Sequence, residues 1–230
     1  MTNVFGRMAA AVLLGAVLSS VAVAATDESR KATTLLFDDK HIAALTPGTE
    51  LVYTFERLPS NDKVLGPGFT DTIKVKVESD AAPGKKNVVV NMFTGERARD
   101  PQQLSGMDGN PMLIVFLETA LGHFQQLAGG DRSYLKNVFS KGIGDASQLV
   151  PVKVSYNGAE VDGYKVTVAP FVDDPSKSKM RGFEGSVFTL VVSDQIPGKF
   201  AQMVSDYKNS QQGGPELVEK MTFMGVGEVK

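Results

Sequence analysis

The chain has 230 residues, 24 basic side chains against 26 acidic ones, a net charge of −2, no cysteine and no tryptophan. That near-balance, with no basic run, excludes a nucleic-acid binder, which needs a cationic face to neutralise phosphates. The missing cysteines exclude a disulfide framework, a lipid-modified cysteine and a thiol nucleophile.

Met1 to Ala24 read as a cleavable signal peptide. Arg7 and the amino terminus supply positive charge, Met8 to Leu18 carries none, and Ala22-Val23-Ala24 fits the A-x-A pattern of signal peptidase. The apolar run falls short of the ~20 residues that span a bilayer, so cleavage after Ala24 is expected, with no stable membrane insertion. The sequence thus predicts an exported, periplasmic protein whose residues 25–230 form a single domain.

In chain order, Phe37 to Leu45 predicts a short helical turn, ended by Pro47-Gly48. Leu51, Tyr53 and Phe55 alternate with Val52, Thr54 and Glu56, the period of a strand with one apolar face. Asn61 to Gly68 reads as a loop, and Thr72 to Glu78 as a second strand with Ile73, Val75 and Val77 on one side. Asn87 to Phe93 predicts a third strand, apolar on both faces and therefore covered on both. Asn110-Pro111 is a helix start: asparagine is a favoured N-cap, and proline at the first position loses only an N–H that was unpaired anyway. The helix it opens is almost uncharged, carries Leu113, Leu117, Leu121 and Phe124 at helical spacing, and stops at Gly129-Gly130. Leu117, at the middle of that stripe, is expected to be buried. Asp131 caps a shorter helix ended by Gly142. Strands resume at Val150, turn at Asn157-Gly158 and continue through Tyr164, Val166 and Val168. After a polar loop from Asp173 to Gly185 come a strand over Ser186 to Ser193, a short helix over Lys199 to Lys208, and a last strand over Leu217 to Met224. The fold class is α+β: a curved, mainly antiparallel sheet packed on a helical hairpin.

This order of elements resembles the exported half-barrel carriers of the lipoprotein-localisation (LolA/LolB-like) type, in which a curved sheet wraps helices around an apolar cavity. Several stretches are also similar to an uncharacterised family of proteobacterial exported proteins. These are Leu45 to Leu51 (LTPGTEL) with Tyr53 and Phe55, Gly109-Asn110-Pro111 leading into Phe116-Leu117-Glu118, and Gly129-Gly130 with Tyr134. Ala169-Pro170-Phe171 and Ile196-Pro197-Gly198 complete the set. The carrier resemblance implies an apolar ligand; the second resemblance leads to a family without an assigned function.

Catalytic chemistry finds little support. There is no G-x-S-x-G elbow. S-x-x-K occurs three times, at Ser60–Lys63, Ser133–Lys136 and Ser176–Lys179, without the partner motifs S-D-N and K-T-G. Asp38, Asp39 and His41 form one acidic cluster and Asp173 with Asp174 another, but neither has the spacing of a metal loop. His123 has no second His or Cys at i±4 and reads as a core or boundary histidine. No catalytic residue, metal site or cofactor is therefore expected. The remaining feature is the apolar helix, which is either plain core or the wall of a cavity formed by Phe116, Leu117, Leu121 and Phe124. The expected function is a periplasmic binding or carrier protein for an apolar, lipid-like ligand. The alternatives are an envelope protein-interaction or maintenance factor without a small ligand and, more weakly, a hydrolase.

Overall fold

The structure is a computed structural model, and it describes residues 31–145 and 148–227. The leader reading lies outside the described residues. The nine described strands are β1 (Glu50–Pro59), β2 (Phe69–Ala82), β3 (Lys85–Met92), β4 (Gln102–Met107), β5 (Gln148–Tyr156), β6 (Ala159–Val168), β7 (Val187–Val192), β8 (Phe200–Tyr207) and β9 (Leu217–Gly227). They form one antiparallel sheet in the order β4-β3-β2-β1-β9-β8-β7-β6-β5. Two meanders thus meet at the central pair β1–β9, and β4 and β5 are left as the edges. A helical hairpin, α2 (Pro111–Ala128) and α3 (Arg132–Asp145), carries the chain from one edge to the other, and a single-turn α1 (Asp62–Leu65) lies between β1 and β2.

The sheet is curved and unclosed, the half-barrel architecture that the element order suggests. Strand alternation sets its inner face. Leu51, Tyr53 and Phe55 of β1, Ile73, Val75 and Val77 of β2, and Leu190 and Val192 of β7 are all buried, as are Met112, Phe116 and Phe124 of α2. The helix fills the concavity. At the β5 end the curl is extreme: the Tyr156 ring lies 6.1 Å from Phe223 on β9. In a flat sheet those two strands would be about 19 Å apart. The tight turn at Asn157-Gly158 forms, both residues with positive φ. Among the described residues no helix is long and apolar enough to cross a membrane.

Several local readings change, among them the loop over Asn61 to Gly68, which holds the helical turn α1. Phe200 to Tyr207 is a strand and not a helix. Phe200, Met203, Val204 and Tyr207 fall at i, i+3, i+4 and i+7, which imitates a helix, but pairing with β7 and β9 on both sides decides the outcome. The buried Ser205 hides the underlying alternation. β3 is buried on one face only, because Val89 and Asn91 face away from the helices. β4 carries no apolar alternation and escapes the eye as an edge strand. Gly142 does not end α3, which runs on to Asp145. It is glycine because a Cβ there would come within 2.8 Å of Pro170. The first helical turn sits earlier than expected, at Thr34–Asp38.

Candidate functional site

Everything around α2 follows from how its two ends are held. At the N-terminus the Asn110 side chain accepts the Met112 N–H at 3.0 Å, the cap that the sequence predicts. Its amide group donates to the Tyr53 hydroxyl at 3.0 Å and to the Gly198 carbonyl at 2.8 Å, all of them buried. Gly198 has φ 73°, and a Cβ there would meet Leu51 at 2.5 Å. His41 closes the lock: Nε2–H donates to the Leu35 carbonyl at 2.9 Å and Nδ1 accepts the Asn110 N–H at 3.2 Å. That arrangement requires the neutral ring. Burial, the largest influence, keeps the His41 pKa below its ordinary value. Burial also raises the Tyr53 hydroxyl well above its ordinary range. Asp39, which the sequence grouped with His41, accepts the His41 backbone N–H on its carbonyl at 3.0 Å and is ion-paired through its side chain with Lys199.

The four side chains read as a cavity wall do not lie alike. Phe116, Leu121 and Phe124 are core residues, Phe124 stacked on Phe171 with ring centres 4.1 Å apart. Leu117 is half-buried and packs on the core from its margin. The buried stripe runs instead through Met112, Phe116, Ala120 and Phe124, one helical step away.

Among the clefts formed by the described residues, three flank the hairpin or the sheet. The first, about 340 Å³, lies where α2 turns into α3. Its floor is Ala128, Leu135 and Met180, all buried, and its mouth is flanked by Tyr134, 39% exposed, with Ser176 and Lys179 on the facing loop. Tyr134 is held by its hydroxyl, which donates to the buried Asp174 carboxylate at 2.8 Å. The surface of this cleft is chiefly carbon. Ala128 is four residues beyond Phe124, so the helix face carrying Leu121 and Phe124 runs into it.

The second cleft, about 390 Å³, lies under the projecting end of the β5–β6 hairpin. Val152, Val154 and Tyr156 line it from above and Val191, Ala201, Gln202 and Thr222 from below.

The third, also about 390 Å³, is a polar groove between α2 and the β3–β4 side of the sheet. Thr119, His123 and Gln126 face Arg99 and Gln102 across it. Behind His123 stands a buried charge cluster that sequence reasoning missed. Glu219, 3% exposed, accepts Nδ1–H of His123 at 2.6 Å and is ion-paired with Arg57. Tyr207 lies beside it with its hydroxyl donated to the Ala120 carbonyl at 3.1 Å, and burial and the Glu219 charge raise its pKa. One signal was available: Glu219 occupies an inward position between Leu217 and Met221. His123 is thus a boundary histidine, as expected, but one with a carboxylate behind it.

Ser133 and Lys136 are both exposed on α3. Among the described residues no group of three or more acidic or histidine side chains is placed to hold a metal ion.

No protein-family model matches the chain. No curated protein matches it either. Among solved structures, the chain is similar to the Mycobacterium tuberculosis lipoprotein LppX at 11% identity and a TM-score of 0.33, over 79% of this chain and 87% of that one. It is also similar to a β-barrel-like protein of the domain of unknown function DUF1849 from Brucella abortus, at 8% identity and a TM-score of 0.24, over 80% of this chain and 99% of that one.

Proposed function

We propose that the protein is an exported, periplasmic binding protein that holds an apolar, lipid-like ligand at the mouth of its helical hairpin. The observation behind this reading is the carbon-lined cleft of about 340 Å³ floored by Ala128, Leu135 and Met180. Its size is in the range of small-molecule sites, and an apolar lining with a few polar rim groups is their usual composition. An acyl chain seated there would meet the α2 face that carries Leu121 and Phe124. Phe116 and Leu117 would then support the site and not touch the ligand until the helix shifts. The wild-type protein should bind a fluorescent apolar probe saturably, and Ala128→Phe, which fills the floor, should weaken that binding at least tenfold. Saturable binding unchanged by Ala128→Phe would remove the site from this cleft. No saturable binding at all would remove the carrier reading.

A second reading has its own observation. β5 is an edge strand, paired among the described residues with β6 alone, and it carries an exposed Val150 beside half-buried Val152, Val154 and Tyr156. An envelope partner that adds a strand to such an edge would need no small ligand. Pro151 lacks a donor and Lys153 is tied to Asp162 at 2.5 Å, which blunts the edge and ranks this reading second.

A further inference from the structure

We propose that the groove between α2 and the β3–β4 side of the sheet binds an oxyacid anion, a carboxylate or phosphate head group, between Arg99 and His123. The inference starts from two unspent groups. Arg99 rests over the Phe93 ring at 5.1 Å and has no carboxylate partner among the described residues. Its guanidinium therefore offers a fork of donors already stiffened by an aromatic face. His123 is the second group. A carboxylate accepts and does not donate, so the 2.6 Å contact with Glu219 fixes the ring proton on Nδ1. Nε2 has no protein partner among the described residues, in a side chain 23% exposed that lines the groove. A buried carboxylate behind an imidazole orients the ring and fixes its tautomer. Arg99 takes the anionic oxygens, and an O–H of the bound oxyacid, such as that of a hydrogen phosphate, donates to Nε2.

The other lining groups agree. Gln102, Thr119 and Gln126 add amide and hydroxyl donors. The one acid on the groove, Glu118, is ion-paired with Arg132 and does not leave a free negative charge there. Glu219 itself is shared with Arg57, whose second nitrogen donates to the Leu65 carbonyl at 3.0 Å. Ile114, 46% exposed, and Met92 provide an apolar flank beside the donors. The groove thus suits a head group with or without a short hydrocarbon attached. It lies on a different face of α2 from the apolar cleft and does not depend on the ligand proposed there.

The test is a titration of the full chain with inorganic phosphate, acetate and octanoate, read from the backbone amide NMR shifts of Thr119, His123 and Gln126. At least one anion should move these three amides saturably, and Arg99→Gln should weaken that binding at least tenfold. Arg99 is exposed, so its variant stays folded; His123→Gln, which also strips a partner from Glu219, serves as support. Octanoate binding tighter than acetate and weakened by Ile114→Ser assigns the site to an amphiphile's carboxylate. Phosphate as the tightest of the three assigns it to a free or esterified phosphate. No saturable shift with any of the anions, or affinity unchanged in Arg99→Gln, overturns the proposal. Because Ala128→Phe leaves this groove untouched, its effect on the apolar probe and the effect of Arg99→Gln on the anions fail independently.

Discussion

The two ends of α2 are built on opposite plans. At the N-terminus a buried asparagine satisfies a helix N–H, a tyrosine hydroxyl and a glycine carbonyl at once, while a neutral histidine fixes the turn before it. At the C-terminus, Gly129 and Gly130 end the helix with positive φ and leave a carbon-lined gap against the facing loop. One end is polar, closed and fully bonded; the other is apolar and open. The comparison teaches where a helix that fills a half-barrel can accept something foreign. Buried polar groups are costly to disturb once paired, so a ligand belongs at the end where only dispersion contacts must be exchanged.

The largest expected effect comes from breaking the closed end. Asn110→Ala removes the cap and takes its partner from the buried Tyr53 hydroxyl, while the Gly198 carbonyl keeps only the Phe200 N–H at 2.9 Å. A lost cap costs about 1 kcal/mol and an orphaned buried group about 1–3 kcal/mol, so the sum should be about 2–4 kcal/mol. Chemical denaturation measures it. A loss below about 1 kcal/mol would mean that the lock is not what positions the helix.

The filled middle of α2 comes next. Phe116→Trp adds volume where the side chain is buried and away from the ligand, and should destabilise by about 1–3 kcal/mol without displacing any probe. A stable variant with weakened probe binding would show instead that a cavity lies there. Leu117→Ala should cost only about 1 kcal/mol, since its side chain is half-buried.

Why the sequence misplaced that residue is instructive. Helical spacing marks a stripe about 100° wide, and Leu117 lies at the margin of it; only the sheet decides which edge of the stripe sinks deepest. Strands with one apolar face, such as β1 and β2, were legible because alternation is local. β8 was not, because its inward Ser205 broke the alternation and its apolar residues also fit a helix. The candidate site was legible in part. The apolar helix and its glycine stop pointed toward the hairpin mouth, but Met180 is 52 residues beyond Ala128 in the chain, and no local pattern joins them. The cluster of Arg57, His123 and Glu219 was invisible for the same reason, since it is assembled from β1, α2 and β9.

Acid loads the closed end more gently. The folded His41 has its pKa below the ordinary 6.5, chiefly through burial, whereas the unfolded ring titrates at its ordinary value. Below about pH 6.5 the unfolded chain therefore takes the proton first, and stability falls as pH drops from there toward the folded value. Above pH 6.5 both states are neutral and this contribution is complete. Protonation in the folded state would set Nδ1–H against the Asn110 N–H. His41→Gln should flatten this part of the stability-against-pH curve. A slope that persists unchanged in the variant would assign it to another group.

The smallest effect on stability should accompany a large effect on binding, and it tests the open end directly. Ser176 lines the rim of the apolar cleft. Its backbone N–H is bonded to Asp174 at 2.7 Å and stays so in any variant. Ser176→Phe therefore removes no side-chain bond of the fold, and a rim substitution of this kind changes stability by no more than about 0.5 kcal/mol. The new ring nevertheless occupies the space between Tyr134 and the facing loop, where a ligand must pass to reach Ala128 and Met180. Thermal melting should show a nearly unchanged midpoint and probe titration at least a tenfold loss of affinity. Asn110→Ala should show the reverse under conditions where it remains folded: a lowered midpoint and probe affinity close to wild type. If both variants change the two readouts together, the ends of α2 are not independent, and the contrast between a closed polar end and an open apolar one fails as an account of this helix.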